Sequence, residues 1–267
     1  MLAEDILSQI EILSVNDLLF HEQTIPDNLK KLKEAMLNIG QLVDPVVVDK
    51  KTKLILDGNH RNKVLKIIEC PFVTCQVVDY SSDSIKVGTW YPTTDKTVES
   101  IFMSSKCKKE EVDFEQGIES IEKSKAAFMI SHISKGKTRS YLVSPGSYKL
   151  MELIEEQNYV LSSLGESVNF RYIADDTAND SLQKGQTVFF RRSYLKNEII
   201  KASQSHSPFP PKSTRHSIPD RIIRLNMRLG WLHEGIEEAR EYLRHMLEKR
   251  VYEGNVRRYT EPVIVIY

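Results

Sequence analysis

Pro45-Val46-Val47-Val48-Asp49-Lys50-Lys51-Thr52-Lys53-Leu54-Ile55-Leu56-Asp57-Gly58-Asn59-His60-Arg61-Asn62-Lys63-Val64 is the stretch that decides the fold. The β-branched run Val46-Val47-Val48 predicts a short buried strand, Lys50-Lys51 a hairpin turn, and Leu54-Ile55-Leu56 the return strand. That strand runs directly into Asp57-Gly58, and Val64, Leu65 and Ile68 fall on one face of a following helix. A strand, a glycine turn and a helix start place free backbone N–H groups and a positive dipole end around Gly58, Asn59 and His60, which suits a phosphate. Arg61, in the first turn, can clamp a phosphoryl oxygen in bidentate fashion, and His60 can donate to the same group. Asp57 can hold Mg²⁺ directly or through water. The same pattern also fits an ordinary strand–turn–helix with Asp57 as its N-cap.

Outward from this turn, the first ninety residues alternate strand and helix. Ile10 to Val15 is predicted as a strand and Leu19 to Thr24 as a loop. Pro26-Asp27-Asn28 opens a helix whose apolar stripe is Leu29, Leu32, Met36 and Ile39, with Gly40 as its C-cap. Phe72 to Val78 is a further strand. Past Trp90 the texture changes. Lys106 to Glu111 is a charge run, read as a boundary, an exposed helix or a solvated face. Ala126–His132 and Ser140–Val143 are predicted strands about a turn at residues 134–137. Helices are predicted over Tyr148–Gln157, Leu195–Ala202 and Glu234–Arg250, a loop over Ala174–Asp180, and a strand over Thr187–Phe190. Residues 203–219 carry four prolines and many small polar side chains. A loop of that length inside a compact domain usually carries function or is disordered.

Composition narrows the function. Lys plus Arg number 37 and Asp plus Glu number 37, so the basic surplus of a dedicated nucleic-acid binder is absent. Apolar runs such as Val263–Tyr267 are far too short for a membrane span. Met1-Leu2-Ala3-Glu4-Asp5 has acids where a secretory signal needs basic residues, so the expected compartment is the cytoplasm. Cys70, Cys75 and Cys107 have neither disulfide nor zinc spacing; Cys70 and Cys75 read as small core hydrophobes.

Gly58-x-x-Arg61-x-x-Val64 resembles the G-x-x-R-x-x-A box of the ParB/sulfiredoxin-like superfamily. Sulfiredoxins place a reactive cysteine after the glycine, where this chain has Asn59. ParB proteins add a helix-turn-helix, and none is evident after residue 90. Asp57-Gly58-Asn59-His60-Arg61 is similar to the D-G-H-H-R motif of the free L-serine kinases, with one departure at Asn59. Pro210-Pro211-Lys212-Ser213-Thr214-Arg215-His216 closely resembles that family's P-P-K-T-T-R-H loop, and His21-Glu22 resembles the site of its catalytic glutamate. The resemblance covers residues 10 to about 232 and leaves out the C-terminal helix and a strand at Tyr259–Tyr267.

The resemblance implies an α/β protein. A ParB/sulfiredoxin-like nucleotide-binding domain is expected over residues 1–95, and an α+β domain over 96–267 supplies the 210–216 loop, with the active site in the cleft between them. The implied reaction moves a phosphoryl group from ATP or ADP, with Mg²⁺, to free L-serine, giving O-phospho-L-serine. Glu22 and Asp57 are the implied catalytic residues; Gly58, Asn59, His60 and Arg61 bind nucleotide; Trp90, Lys212, Ser213, Thr214, Arg215 and His216 bind substrate. Phosphoryl transfer needs mostly positioning and charge neutralisation, and a carboxylate in reach of a serine hydroxyl can take its proton as attack proceeds. One family member serves siderophore biosynthesis. The rival reading is a ParB-like nucleotide-dependent DNA-binding regulator or ligand sensor. The sequence leaves the oligomeric state open, a homodimer included.

Overall fold

The computed structural model describes residues 3–103, 107–134, 136–165 and 168–259. The C-terminal strand expected at Tyr259–Tyr267 and Lys106 of the charge run lie outside or at the margin of the described residues. The chain packs as two units, each assembled from separate stretches: residues 1–19, 24–84 and 218–267 form one, and 20–23 with 85–217 form the other.

The first unit is built on the quoted stretch. Val46–Asp49 lies parallel to Phe72–Val78 and antiparallel to Ile55–Asp57, and Ile10–Ser14 completes a four-stranded sheet on the far side of Phe72–Val78. Val46, Val47, Val48 and Ile55 are wholly buried, as expected for strands covered on both faces. The Asn59–Ile67 helix packs Val64 and Leu65 onto this sheet. The Pro26–Ile39 helix begins with Pro26 in its first turn and ends at Gly40, whose φ of 70° is the left-handed cap a glycine supplies. Residues 218–259 return to this unit. Met227–Arg228 pairs with Gln41–Leu42, and the Ile236–Tyr252 helix packs against Ile10–Ser14.

The second unit is a six-stranded antiparallel sheet, in the order Arg171–Ala174, Trp90–Thr94, Thr187–Phe190, Ala126–Ser134, Lys137–Pro145, Lys109–Val112. Phe128, Ile130 and Phe189 pack with Val160 and Leu164 of the Leu150–Gly165 helix. Met129, Val188 and Phe190 pack with Ile121 and Leu182. Alternate residues of the Thr187–Phe190 strand thus enter different apolar clusters, as the period of a strand requires. Lys86–Gly88 and Arg215–Ser217 form a separate two-stranded ladder.

Three expectations change. The chain does not divide once near residue 95. Residues 218–259 belong with the N-terminal sheet, because Gln76 of the Phe72–Val78 strand binds both ends of their first turn: its amide N donates to Asp220 O at 2.9 Å and its Oε1 accepts from Ile222 N at 2.9 Å. The charge run holds an edge strand, Lys109–Val112, paired with Ser140–Val143. Its charges suit an edge, where they discourage further strand addition. Residues 175–183, expected as a loop through 180, form a 3-10 turn and the Ala178–Gln183 helix, which buries Ala178, Ser181 and Leu182 at helical spacing. Among the described residues no helix is long and apolar enough to cross a membrane.

Candidate functional site

In the first unit the Asp57–Arg61 segment is the strand, glycine turn and helix start that the sequence predicts, with Gly58 and not Asp57 in the cap position. Gly58 has a φ of 104°, a region that L side chains rarely adopt, and caps the N-terminus of the Asn59–Ile67 helix. A Cβ there would sit 3.1 Å from both Val46 Cγ2 and the Arg61 guanidinium. Arg61 braces the turn: Nη1 donates to the carbonyls of Asp44 and Pro45 at 2.8 Å each, and Nη2 pairs with Asp57 Oδ2. The same Asp57 oxygen takes a second guanidinium, from Arg221. His60 Nε2 accepts from the Ile25 amide at 3.1 Å, so the proton of the neutral ring is on Nδ1. Asn59 is buried, and its Oδ1 has no hydrogen-bond partner among the described residues.

Among the described residues no three His, Cys, Asp or Glu side chains converge on a cation site. Mg²⁺ seldom needs such a cage; it takes one or two protein oxygens beside phosphate and water. The Asp57 carboxylate is an oxygen donor of the right kind for that role once Arg61 and Arg221 give up its Oδ2.

In the second unit Glu22 meets the 210–216 loop. Phe20–Gln23 is stitched to that loop by its backbone, since Phe209 N donates to His21 O at 2.8 Å and Gln23 N to Phe209 O at 3.0 Å. Glu22 Oε1 accepts from Thr214 N and Thr214 Oγ1, each at 2.6 Å, and Oε2 accepts from Lys212 N at 3.2 Å. Thr214 has one hydroxyl proton and gives it to Glu22, so the 2.8 Å contact between His21 Nε2 and Thr214 Oγ1 has His21 as donor. His216 meets the His21 ring edge-on, with centroids 5.5 Å apart. Lys212 Nζ and Arg215 Cζ lie 5.5 and 5.7 Å from the centre of the Trp90 ring, within cation–π range. Arg215 also pairs with Asp175 and Asp176, both at 3.1 Å.

The second unit therefore brings Glu22, Trp90, Lys212, Thr214, Arg215 and His216 into one cluster. Ser213 departs from its expected role. It is wholly buried, and its hydroxyl donates to Pro210 O at 2.7 Å and accepts from Arg191 Nη1 at 2.9 Å, so it shapes the loop from within.

No protein-family model matches the chain. A curated ATP-dependent L-serine kinase of Staphylothermus marinus is 27% identical over 218 residues, 78% of this chain and 85% of its own. An ADP-dependent L-serine kinase, SerK, of Thermococcus kodakarensis is 28% identical over 78% of this chain and 87% of its own. Over 78% of its length the chain is similar to these L-serine kinases. A solved free serine kinase in complex with AMP has the same fold, with a TM-score of 0.71, 23% identity, and coverage of 84% of this chain and 93% of that one.

Three residues of these two clusters were not singled out from sequence, Asp175, Arg191 and Arg221, and His21 was named only as the neighbour of Glu22. Arg191 is the most telling. It lies wholly buried among oxygen atoms of the 212–213 segment, Thr89 and Trp90. Burial pulls its pKa below the ordinary arginine value. The available signal was an Arg191-Arg192 pair directly after the apolar Thr187–Phe190 strand, where an arginine has little reason to be buried unless it binds something.

Proposed function

We propose that this protein transfers a phosphoryl group from ATP or ADP to the hydroxyl of free L-serine. The observation that most supports this reading is the hold on Glu22. Both carboxylate oxygens are fixed by the Lys212 and Thr214 amides, in the same loop that presents Lys212, Arg215 and His216. A carboxylate so held is acceptor-only and aimed, as a general base must be. The neighbouring cations and imidazole suit a small substrate that carries a carboxylate and becomes a phosphate ester.

In this reading the glycine turn receives the nucleotide phosphates on its backbone amides and helix dipole, with His60 and Arg61 shaping the turn. Serine is held by Arg215 and His216 with Trp90 beside them, while Thr214 aims Glu22. As the serine oxygen bonds to phosphorus, its proton passes to Glu22, the bond from phosphorus to the leaving oxygen breaks, and a nucleotide one phosphate shorter departs. Bound Mg²⁺ would neutralise phosphate charge, and Asp57, released from Arg61 and Arg221, is the residue that would hold it. The reading requires the two substrates to meet in the working enzyme.

The test is turnover. Purified protein with Mg²⁺, L-serine and either ATP or ADP is expected to yield O-phosphoserine, identified by mass spectrometry, in step with nucleotide loss. Absence of phosphoserine with both donors would remove the reading.

A further inference from the structure

Arg191 is a fully buried cation whose hydrogen-bond partners among the described residues include no carboxylate. Nε lies 3.3 Å from Thr89 Oγ1 and 3.1 Å from Trp90 O; Nη2 donates to Trp90 O at 2.7 Å and to Lys212 O; Nη1 donates to Ser213 Oγ at 2.9 Å. An apolar side chain of similar volume would fill this space without the desolvation cost of an arginine. The oxygens around it suggest what the cation does there. Thr89 has one hydroxyl proton and gives it to Ser213 O at 2.9 Å, so it accepts from Arg191. The peptide unit that begins at Ser213 O ends at Thr214 N–H, which donates to Glu22 Oε1 at 2.6 Å.

We propose that Arg191, Thr89 and the Ser213–Thr214 peptide form one hydrogen-bonded line from a buried cation to Glu22, and that Arg191 is a positioning residue for the Glu22 carboxylate. Each link polarises the next, because donation into a carbonyl strengthens the N–H on the other side of the same peptide. A second contact steadies the same loop. Lys212 stands in the left-handed region at φ 60°, its carbonyl taken by Arg191 and its amide by Glu22. Strained backbone of this kind persists only when its surroundings over-determine it.

Three variants of the full chain separate this line from general packing. Thr89→Val keeps the shape and removes the middle hydroxyl. Thr89→Ser restores it. Ser213→Ala cuts an Arg191 contact that lies off the line. The first readout is the amide proton shift of Thr214 by ¹⁵N-correlated NMR, which is independent of any activity. A short bond to a carboxylate holds that proton downfield. It should move upfield in Thr89→Val and return in Thr89→Ser. The second readout rests on the serine kinase reading: in Thr89→Val, kcat for serine phosphorylation falls about tenfold, the scale of one weakened hydrogen bond to a charged group, with KM for nucleotide unchanged. Ser213→Ala should leave the Thr214 shift in place. An unmoved Thr214 amide in Thr89→Val, or the same shift in Ser213→Ala as in Thr89→Val, overturns the line whether or not the protein phosphorylates serine. A Thr89→Val protein that does not fold while Thr89→Ser does gives the hydroxyl a purely structural role and also overturns it.

Discussion

Replacing Glu22 with Gln exchanges one oxygen for an NH₂ group and separates two roles of this side chain. The carboxylate accepts three hydrogen bonds, two at 2.6 Å from Thr214 and one at 3.2 Å from Lys212 N. Glutamine brings one acceptor oxygen and one NH₂ donor. The better orientation keeps the oxygen on Thr214, which leaves the NH₂ facing the Lys212 N–H. One bond is then lost to a donor–donor contact, and two charge-assisted bonds become neutral ones of roughly half the strength. With the side chain only 12% exposed, screening by water is small, and the loss is about 2–4 kcal/mol. Denaturant unfolding of the two proteins measures it, at fixed pH and salt. Turnover with saturating serine and donor measures the second role. With the base removed, kcat should fall about a hundredfold or more, beyond what the remaining folded population explains. Destabilised protein with near-normal turnover would leave Glu22 a loop brace and remove it from the chemistry. Unchanged stability would refute the hydrogen-bond count itself.

Gly58→Ala should cost about 1–3 kcal/mol, because an alanine is strained at φ 104° and its Cβ meets Val46 and Arg61; calorimetric titration with ATP should show weaker binding in the folded fraction. Asp49 offers a pH test. Burial alone would raise its pKa, but hydrogen bonds from the Thr52 hydroxyl and amide and from the Tyr80 amide outweigh that and hold it below the ordinary carboxyl value of 3.8. A depressed carboxyl stabilises above its unfolded value and loses that contribution as pH falls through the folded one. The stability gap between wild type and Asp49→Asn should therefore be full at neutral pH and close as pH falls below about 4. Burial pushes the Cys70 thiol up to about 11 and raises Cys75 further. Alkylation of native protein at mildly alkaline pH should accordingly mark Cys107, which is half-buried, and spare the other two until unfolding.

The glycine turn was legible because its signal is local. An apolar strand, a glycine and a helix start within a dozen residues leave few alternatives, and Gly58 duly takes a backbone angle that other residues avoid. Glu22 and the 210–216 loop were legible only through family resemblance, since a loop glutamate and a proline-rich segment carry no periodicity. Arg191 and Thr89 were illegible for a different reason. Their meaning lies in bonds to residues about 20 to 120 positions away, and local pattern says nothing about such partners. The return of residues 218–259 to the first sheet is a matter of the same kind, resting on Gln76 and on the pairing of Met227–Arg228 with Gln41–Leu42. The charged Lys109–Val112 strand misleads because an edge strand need not show a strand's apolar alternation.

The most direct test of the account is a crystal structure of the full chain with L-serine and a non-hydrolysable nucleotide analogue. The account predicts the serine hydroxyl within about 3.2 Å of a Glu22 carboxylate oxygen, its carboxylate on Arg215 and His216, and the terminal phosphate on the far side of the hydroxyl. Serine bound elsewhere, with Glu22 still closed onto Lys212 and Thr214 and out of reach of the hydroxyl, would contradict it.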